Sequence, residues 1–81
     1  MVLDVKNFRI SKISKVSKDG LGVYAAFVIY TIYCNNYYYL TRDLEVRKDF
    51  KDNYNFIFNS EIDAQLLLDQ AGDLFVFNGP L

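Results

Sequence analysis

The chain has 81 residues, of which 52% are hydrophobic and 17% are aromatic, and its formal net charge is −1 at pH 7. A chain of this length buries roughly 60–65% of its unfolded surface, so residues 1–81 are predicted to form one small domain with a dense core. Its composition is far from the low hydrophobicity and high net charge of disordered proteins. It has no histidine and a single cysteine, Cys34, which excludes an internal disulfide, a multi-cysteine metal site and the most common general base.

The positive charge is concentrated in the first 18 residues. This basic segment has a net charge of +4, whereas residues 19–81 have a net charge of −5. Its basic residues are Lys6, Arg9, Lys12, Lys15 and Lys18. An Ile-Ser-Lys triplet recurs from Ile10 to Lys18, with Val at the start of the third copy, and a period of three fits neither a flat strand nor an α-helix. We therefore expect Val5–Ser17 to be an edge strand with a bulge.

Asp19-Gly20 predicts a hairpin turn that joins this strand to the next one. The register of the pair stays open. A two-residue loop would place Lys12 opposite Phe27 on the core face, which is unfavourable for lysine. A bulge or a longer loop would instead bring Ile10 or Ile13 inward.

Val23–Tyr33 is apolar, aromatic and β-branched, which is typical of a strand. Asn35-Asn36 follows, and asparagine tolerates the positive φ of a two-residue type I′ turn. This loop would place Cys34 opposite Tyr37 and Ile29 opposite Arg42, with Cys34 as a filler beside the turn.

Side-chain alternation assigns the two faces of this predicted hairpin. The core face is predicted to carry Val23, Ala25, Phe27, Ile29, Thr31, Tyr33, Tyr38, Leu40, Leu44 and Val46. The opposite face, called the tyrosine face below, carries Tyr24, Tyr30, Tyr37 and Tyr39. Exposed aromatic clusters often mark partner surfaces. The alternative is that the N-terminal segment or a second copy of the chain covers this face.

The C-terminal part predicts a short strand, a helix and a last strand. Tyr54–Phe58 alternates like a strand. Ser60 is a good N-cap, Asp63 stands where a capping-box acid would, and Gly72 is expected to end the helix. The helix stripe facing the core is Ala64, Leu67, Leu68 and Ala71, widened by Leu66 and supported by Ile62. Leu74–Phe77 is predicted to be the last strand. The predicted fold is α+β, an antiparallel meander of four to five strands with one C-terminal helix on its core face, in the order β-β-β-β-α-β.

Nothing in the chain forms a catalytic motif, and we predict a protein that is not an enzyme and needs no cofactor. Asp43 and Glu45 could share one face, but the basic residues around them favour a solvated strand. No signal peptide or membrane span is predicted, since the apolar run from 21 to 41 contains an Asn pair in its middle. The predicted location is the cytoplasm.

Two functions remain open. The first is a non-catalytic protein-binding module that uses Tyr24, Tyr30, Tyr37 and Tyr39 to dock on another protein or to form a homodimer. A composition rich in Asn, Tyr, Lys, Phe and Ile is typical of a low-GC genome, and compact proteins of this size are frequent in phages and mobile elements, which favours an inhibitor or adaptor of a host protein. The alternative is a single-stranded nucleic-acid-binding protein whose basic segment contacts phosphates and whose tyrosines stack on bases.

Overall fold

The structure, a computed structural model, describes residues 2–3, 7–74 and 77–78, with side chains described from residue 7 to residue 72. The elements in chain order are β1 (Val2–Leu3), β2 (Arg9–Val16), β3 (Val23–Tyr33), β4 (Asn36–Leu40), β5 (Val46–Arg47), α1 (Glu61–Leu74) and β6 (Phe77–Asn78). A four-stranded antiparallel sheet has the order β2-β3-β4-β5, and β1 pairs separately with β6. The predicted α+β class, a meander followed by one helix, is confirmed.

The first hairpin adopts the register of a two-residue loop, which from the sequence is unfavourable for Lys12. Lys12 lies opposite Phe27, and the pairing continues without a bulge from Arg9 to Val16. Side chains on a flat strand alternate between the two faces, so the first residues of successive Ile-Ser-Lys triplets point to opposite faces. Ile10 therefore faces the core and packs against its buried residues. Lys12 points to the same face but lies outside the core, where it is exposed. The predicted bulge is wrong, and the predicted start of this strand at Val5 lies outside the described residues.

The loop of this hairpin is held by a backbone hydrogen bond between its ends and by the carboxylate of Asp19 inside it. The Ser17 N–H donates to the Gly22 carbonyl at 2.8 Å, and Gly20 has a φ of 74°, which only glycine adopts without steric cost. The Asp19 carboxylate accepts hydrogen bonds from the Ser17 hydroxyl at 2.5 Å and from the Leu21 N–H at 2.9 Å. These bonds hold the pKa of Asp19 below its ordinary value because they favour the charged form.

The turn of the second hairpin lies one residue earlier than predicted. Cys34 and Asn35 have φ angles of 50° and 64°, the left-handed values of a type I′ turn, and Tyr33 pairs with Asn36. Every pair across the hairpin is therefore shifted by two residues from the predicted register. A shift of two leaves each side chain on its face, so the face assignment survives the register error.

The second strand of this hairpin is also shorter than predicted. β4 ends at Leu40, and the chain reverses in a loop in which the Thr41 N–H donates to the Glu45 carbonyl at 2.9 Å. Leu44 has a φ of 62° in this loop, and β5 then pairs with β4 so that Val46 lies opposite Leu40. The predicted pair of Ile29 and Arg42 is thus wrong.

The reversal leaves room for a distant segment beside β3. Phe58 takes the place opposite Phe27, where the two residues exchange backbone hydrogen bonds of 2.8 Å each. The sequence predicts a fourth strand at residues 54–58. Within this range the structure shows this isolated bridge and no strand of greater length. The fourth strand of the sheet is instead β5.

The core lies between the sheet and α1, as predicted. Phe8, Ile29, Tyr38, Leu40, Val46 and Phe58 are buried on the sheet side, and Ala64 and Ala71 are buried on the helix side. Leu67, Leu68 and Leu44 pack against them. Val23 and Ala25, assigned to the core face, are exposed because they lie at the far end of the β2–β3 hairpin, outside this core.

The predicted N-cap of α1 is confirmed, since the Asp63 N–H donates to the Ser60 hydroxyl at 3.1 Å. The helix passes through Gly72 and ends at Leu74, two residues later than predicted. The predicted widening of its apolar stripe is wrong, because Ile62 and Leu66 are 72% and 61% exposed. The buried alanines hold the helix close to the sheet, so a narrow stripe is enough to cover the core.

Candidate functional site

One row of side chains crosses the tyrosine face from edge to edge of the sheet. Arg9 lies opposite Tyr30, Tyr30 opposite Tyr39, and Tyr39 opposite Arg47. Residues directly opposite one another on paired strands share a face. The row therefore places two tyrosines between two guanidinium groups. The next pair along the hairpin, Ile32 and Tyr37, extends the apolar part of this face.

The two tyrosine rings of this row belong to a continuous series of aromatic contacts that also includes Tyr37 and Phe50. Tyr30 and Tyr37 stack with centroids 5.8 Å apart and planes 19° apart, and Tyr37 stacks on Tyr39 at 6.4 Å and 26°. Phe50, from the segment after β5, continues the series with its ring 5.1 Å from Tyr39. We call Tyr30, Tyr37, Tyr39 and Phe50 the aromatic ladder.

The ladder is open to solvent on its outer side. Tyr37 is 52% exposed, Ile32 beside it is 55% exposed and Phe50 is 40% exposed, while Tyr30 and Tyr39 are half-buried. Large apolar groups left this accessible next to one another form a contiguous patch. The ladder is supported from the protein side, since the buried Phe56 makes edge contacts with both Tyr39 and Phe50.

The middle of the tyrosine face is covered by the chain itself. Ala26 and Val28 are buried although they point to this face. The segment from 48 to 59 contacts Tyr39 at one end, through Phe50, and at Asp52 it forms an ion pair with Lys15 of β2. It therefore crosses the face between these points. Coverage by this segment was not among the sequence-based expectations, which considered the N-terminal segment or a second copy.

The covering segment separates Tyr24 from the other predicted tyrosines. Tyr24 is 48% exposed and lies opposite Lys15, in a groove of about 530 Å³ that is also lined by Arg42 and Tyr54. The structure thus brings together Tyr30, Tyr37 and Tyr39 and leaves Tyr24 at a second place. Ile32, Phe50 and Arg47 join the candidate site although the sequence analysis did not single them out.

Arg42 organises the covering segment. Its guanidinium carbon lies 4.0 Å from the ring centroid of Tyr54 and 4.4 Å from that of Phe58. Its Nε donates to the Tyr54 carbonyl at 2.8 Å and its Nη2 to the Ile57 carbonyl at 2.9 Å. The sequence carries no local signal for this role, since it depends on the reversal between Thr41 and Glu45.

The predicted basic residues do not form one surface. Arg9 and Lys15 point to the tyrosine face, whereas Lys12 points to the opposite face and Lys18 lies in the hairpin loop. Lys15 is already paired with Asp52. Lys6 lies outside the described residues.

The carboxylates singled out as a pair have separate partners. Asp43 accepts a hydrogen bond from the Asn55 amide at 3.0 Å, and Glu45 forms an ion pair with Arg47 at 3.0 Å. Within the part of the chain that the structure describes, no group of three potential ligands among His, Cys, Asp and Glu is placed to hold a metal ion. Cys34 is an exposed thiol in the turn.

Two further findings bear on function. Among the described residues, no helix combines the length and the hydropathy needed to cross a membrane. Comparison of the chain with models of protein families, with curated proteins and with solved structures finds no match.

Proposed function

We propose that this protein is a non-catalytic binding module that docks on a different protein through the aromatic ladder. The observation that carries the proposal is the contiguous exposed patch of Tyr37, Ile32 and Phe50, with an arginine at each end of its central row. Tyr, Phe and Arg are the side chains enriched in protein interfaces, and aromatic anchors dominate their energetics. The rigid support from Phe56 lowers the entropy lost when these rings are bound.

The ring geometry favours a protein partner over a nucleic acid. Binding of bases requires open ring faces. Here Tyr37 is stacked within 26° of parallel with both Tyr30 and Tyr39, so part of each ring face is already in contact with a neighbour. The edges and hydroxyl groups that remain suit side chains and backbone groups of a protein.

The charges around the ladder also favour a protein partner over a nucleic acid. Arg9 is exposed, but Arg47 is paired with Glu45 and Lys15 with Asp52, so the surroundings are of mixed charge. Binding to a phosphate backbone would need several free cations. A protein patch with apolar side chains and a carboxylate near Arg9 is the better complement.

The role that we propose for such a module is that of an inhibitor or adaptor, as in the small proteins of phages and mobile elements. A non-catalytic role is supported by the absence of histidine from the chain and by the partners that engage Asp43 and Glu45.

The proposal is tested by locating and then measuring the contact. Benzoylphenylalanine in place of Tyr37 should form a covalent cross-link to one protein in the cells in which the chain is expressed. Calorimetry with that purified protein should then show binding roughly tenfold to thirtyfold weaker for Tyr37→Ser, since loss of a central aromatic anchor has about this effect.

Tyr24→Ser is the matched control, because Tyr24 is 48% exposed, close to the 52% of Tyr37, and lies outside the ladder. It should bind within about twofold of the original chain. Equal losses in the two variants would overturn the proposal. Steeply salt-dependent binding of a ten-residue oligothymidylate that is lost in Tyr37→Ser would overturn it in favour of nucleic acid.

A further inference from the structure

We propose that the outer edge of β2 binds an acidic, extended segment of another protein as an additional antiparallel or parallel strand. This site lies at the edge of the sheet and is separate from the aromatic ladder. It rests on the direction of backbone groups, on exposure and on charge.

The hydrogen bonds of β3 show which groups of β2 point outward. The Phe27 N–H and carbonyl bond to Phe58, on the side of β3 away from β2. In an antiparallel ladder these directions alternate, so Lys12, opposite Phe27, also directs its N–H and carbonyl away from β3. The same holds for Ser14 and Val16. Among the residues that the structure describes, no strand pairs with this edge.

The edge is also accessible and regular. Lys12, Ser14 and Val16 are exposed, and β2 pairs with β3 over eight residues without interruption. Edge strands that avoid pairing are often very short, bulged, interrupted by proline or lined with lysine, and of these features β2 has only the lysines. Lysine repels another basic edge but attracts a strand that carries carboxylates. A straight run of free donors and acceptors is the template that strand addition uses.

Charge selects the kind of strand that can add. Residues 9–18 contain four basic residues and no acidic one. Like charges on neighbouring strands oppose pairing, and opposite charges across a pair stabilise it. A second copy of β2 is therefore a poor occupant. Lys15 is already paired with Asp52, so the good occupant is a strand with carboxylates opposite Lys12 and Arg9.

Apolar side chains at the end of the hairpin offer additional contact. Val16 and Val23 lie opposite one another and are 64% and 72% exposed. They occupy the face of Lys12, so a strand added beside β2 would meet the side chain of Val16, with Val23 behind it, and the cation of Lys12. Because these groups share one face, the expected ligand carries Glu or Asp opposite Lys12 and a small apolar residue opposite Val16, on the same face of its own strand.

The test uses the full chain and the ten-residue peptide Thr-Val-Glu-Thr-Thr-Glu-Thr-Thr-Glu-Val, which in either strand direction can place its central Glu opposite Lys12 and a Val opposite Val16. Amide exchange measured by NMR should become slower at Lys12 and Ser14 when the peptide is added, while Ile13 and Lys15, already bonded to β3, should change little. Binding should weaken as salt is raised. Binding without new protection at Lys12 and Ser14 would overturn the proposal, as would the absence of binding.

Two pairs of variants separate the backbone from the charge. Ser14→Pro removes an outward N–H without breaking the β2–β3 ladder and should abolish binding, whereas Ser14→Ala should preserve it. Lys12→Glu should weaken binding roughly threefold to tenfold, whereas Lys51→Glu, the same charge change at an exposed position outside the strand, should not. Equal effects of the two charge changes would contradict a site on β2. So would tighter binding of oligothymidylate at the same residues.

Discussion

At the scale of single residues, Arg42 is the side chain on which the candidate site depends most. Its guanidinium lies between the rings of Tyr54 and Phe58 and bonds to the carbonyls of Tyr54 and Ile57. The segment that it holds also carries Phe50, a member of the ladder, and Phe56, which packs against Tyr39 and Phe50. A residue outside the patch thereby fixes its shape.

Arg42→Lys is expected to lower the free energy of unfolding by about 1–3 kcal/mol, because lysine cannot reproduce the planar, two-donor geometry between two rings. Urea unfolding measures this loss. Arg47→Lys is the control, since Arg47 is exposed and makes one surface ion pair, and it should change stability by less than about 0.5 kcal/mol. Equal losses in the two variants would show that the stacking of Arg42 is not structural.

At the scale of elements, the second hairpin shows which features of a hairpin can be predicted from the sequence and which cannot. The composition of Val23–Tyr33 and the need for positive φ after it locate a strand and a turn. They do not decide between Asn35-Asn36 and Cys34-Asn35, because the two choices differ by a register shift of two that keeps every side chain on its face. The tyrosine face could therefore be predicted although its pairing could not.

Two substitutions distinguish these turns by stability. Cys34→Asn should raise the free energy of unfolding by about 0.5–1 kcal/mol, because asparagine tolerates the left-handed conformation at this position better than cysteine does. Asn36→Gly should lower it by about 0.5–1 kcal/mol, because Asn36 lies in β4, where glycine is unfavourable, and its side chain bonds to the Cys34 carbonyl. Urea unfolding compares both.

A stabilising effect of Asn36→Gly would indicate the alternative turn. If the turn were Asn35-Asn36, Asn36→Gly would create the Asn-Gly pair preferred in type I′ turns and would stabilise the hairpin. Stabilisation by Asn36→Gly would thus contradict the observed register.

The remaining elements were missed for a different physical reason. The reversal at Thr41–Glu45 places Leu44 in a left-handed conformation that leucine rarely adopts, so local propensity argues against it. Tertiary packing outweighs that cost, since the reversal brings Leu44 and Val46 onto the core and admits Phe58 beside β3. Contacts between segments this far apart in the chain cannot be predicted from the local sequence pattern.

At the scale of the whole molecule, the two faces of the sheet have different uses. One face and α1 enclose the core, and this division follows from the alternation of side chains alone. The other face is covered at Ala26 and Val28 by residues 48–59 and left open at the ladder. The proximity of Tyr30, Tyr37 and Tyr39 was predictable from alternation. The separation of Tyr24 was not, because it depends on where the covering segment crosses.

The central claim is that the aromatic ladder is free for a different protein. The most direct measurement is the solution mass by light scattering over a concentration series, for the original chain and for Tyr37→Ser. The claim predicts a mass of 9.4 kDa, that of one chain, at every concentration for both proteins. A doubled mass that returns to the monomer value in Tyr37→Ser would contradict it, because the ladder would then bind a second copy of the chain.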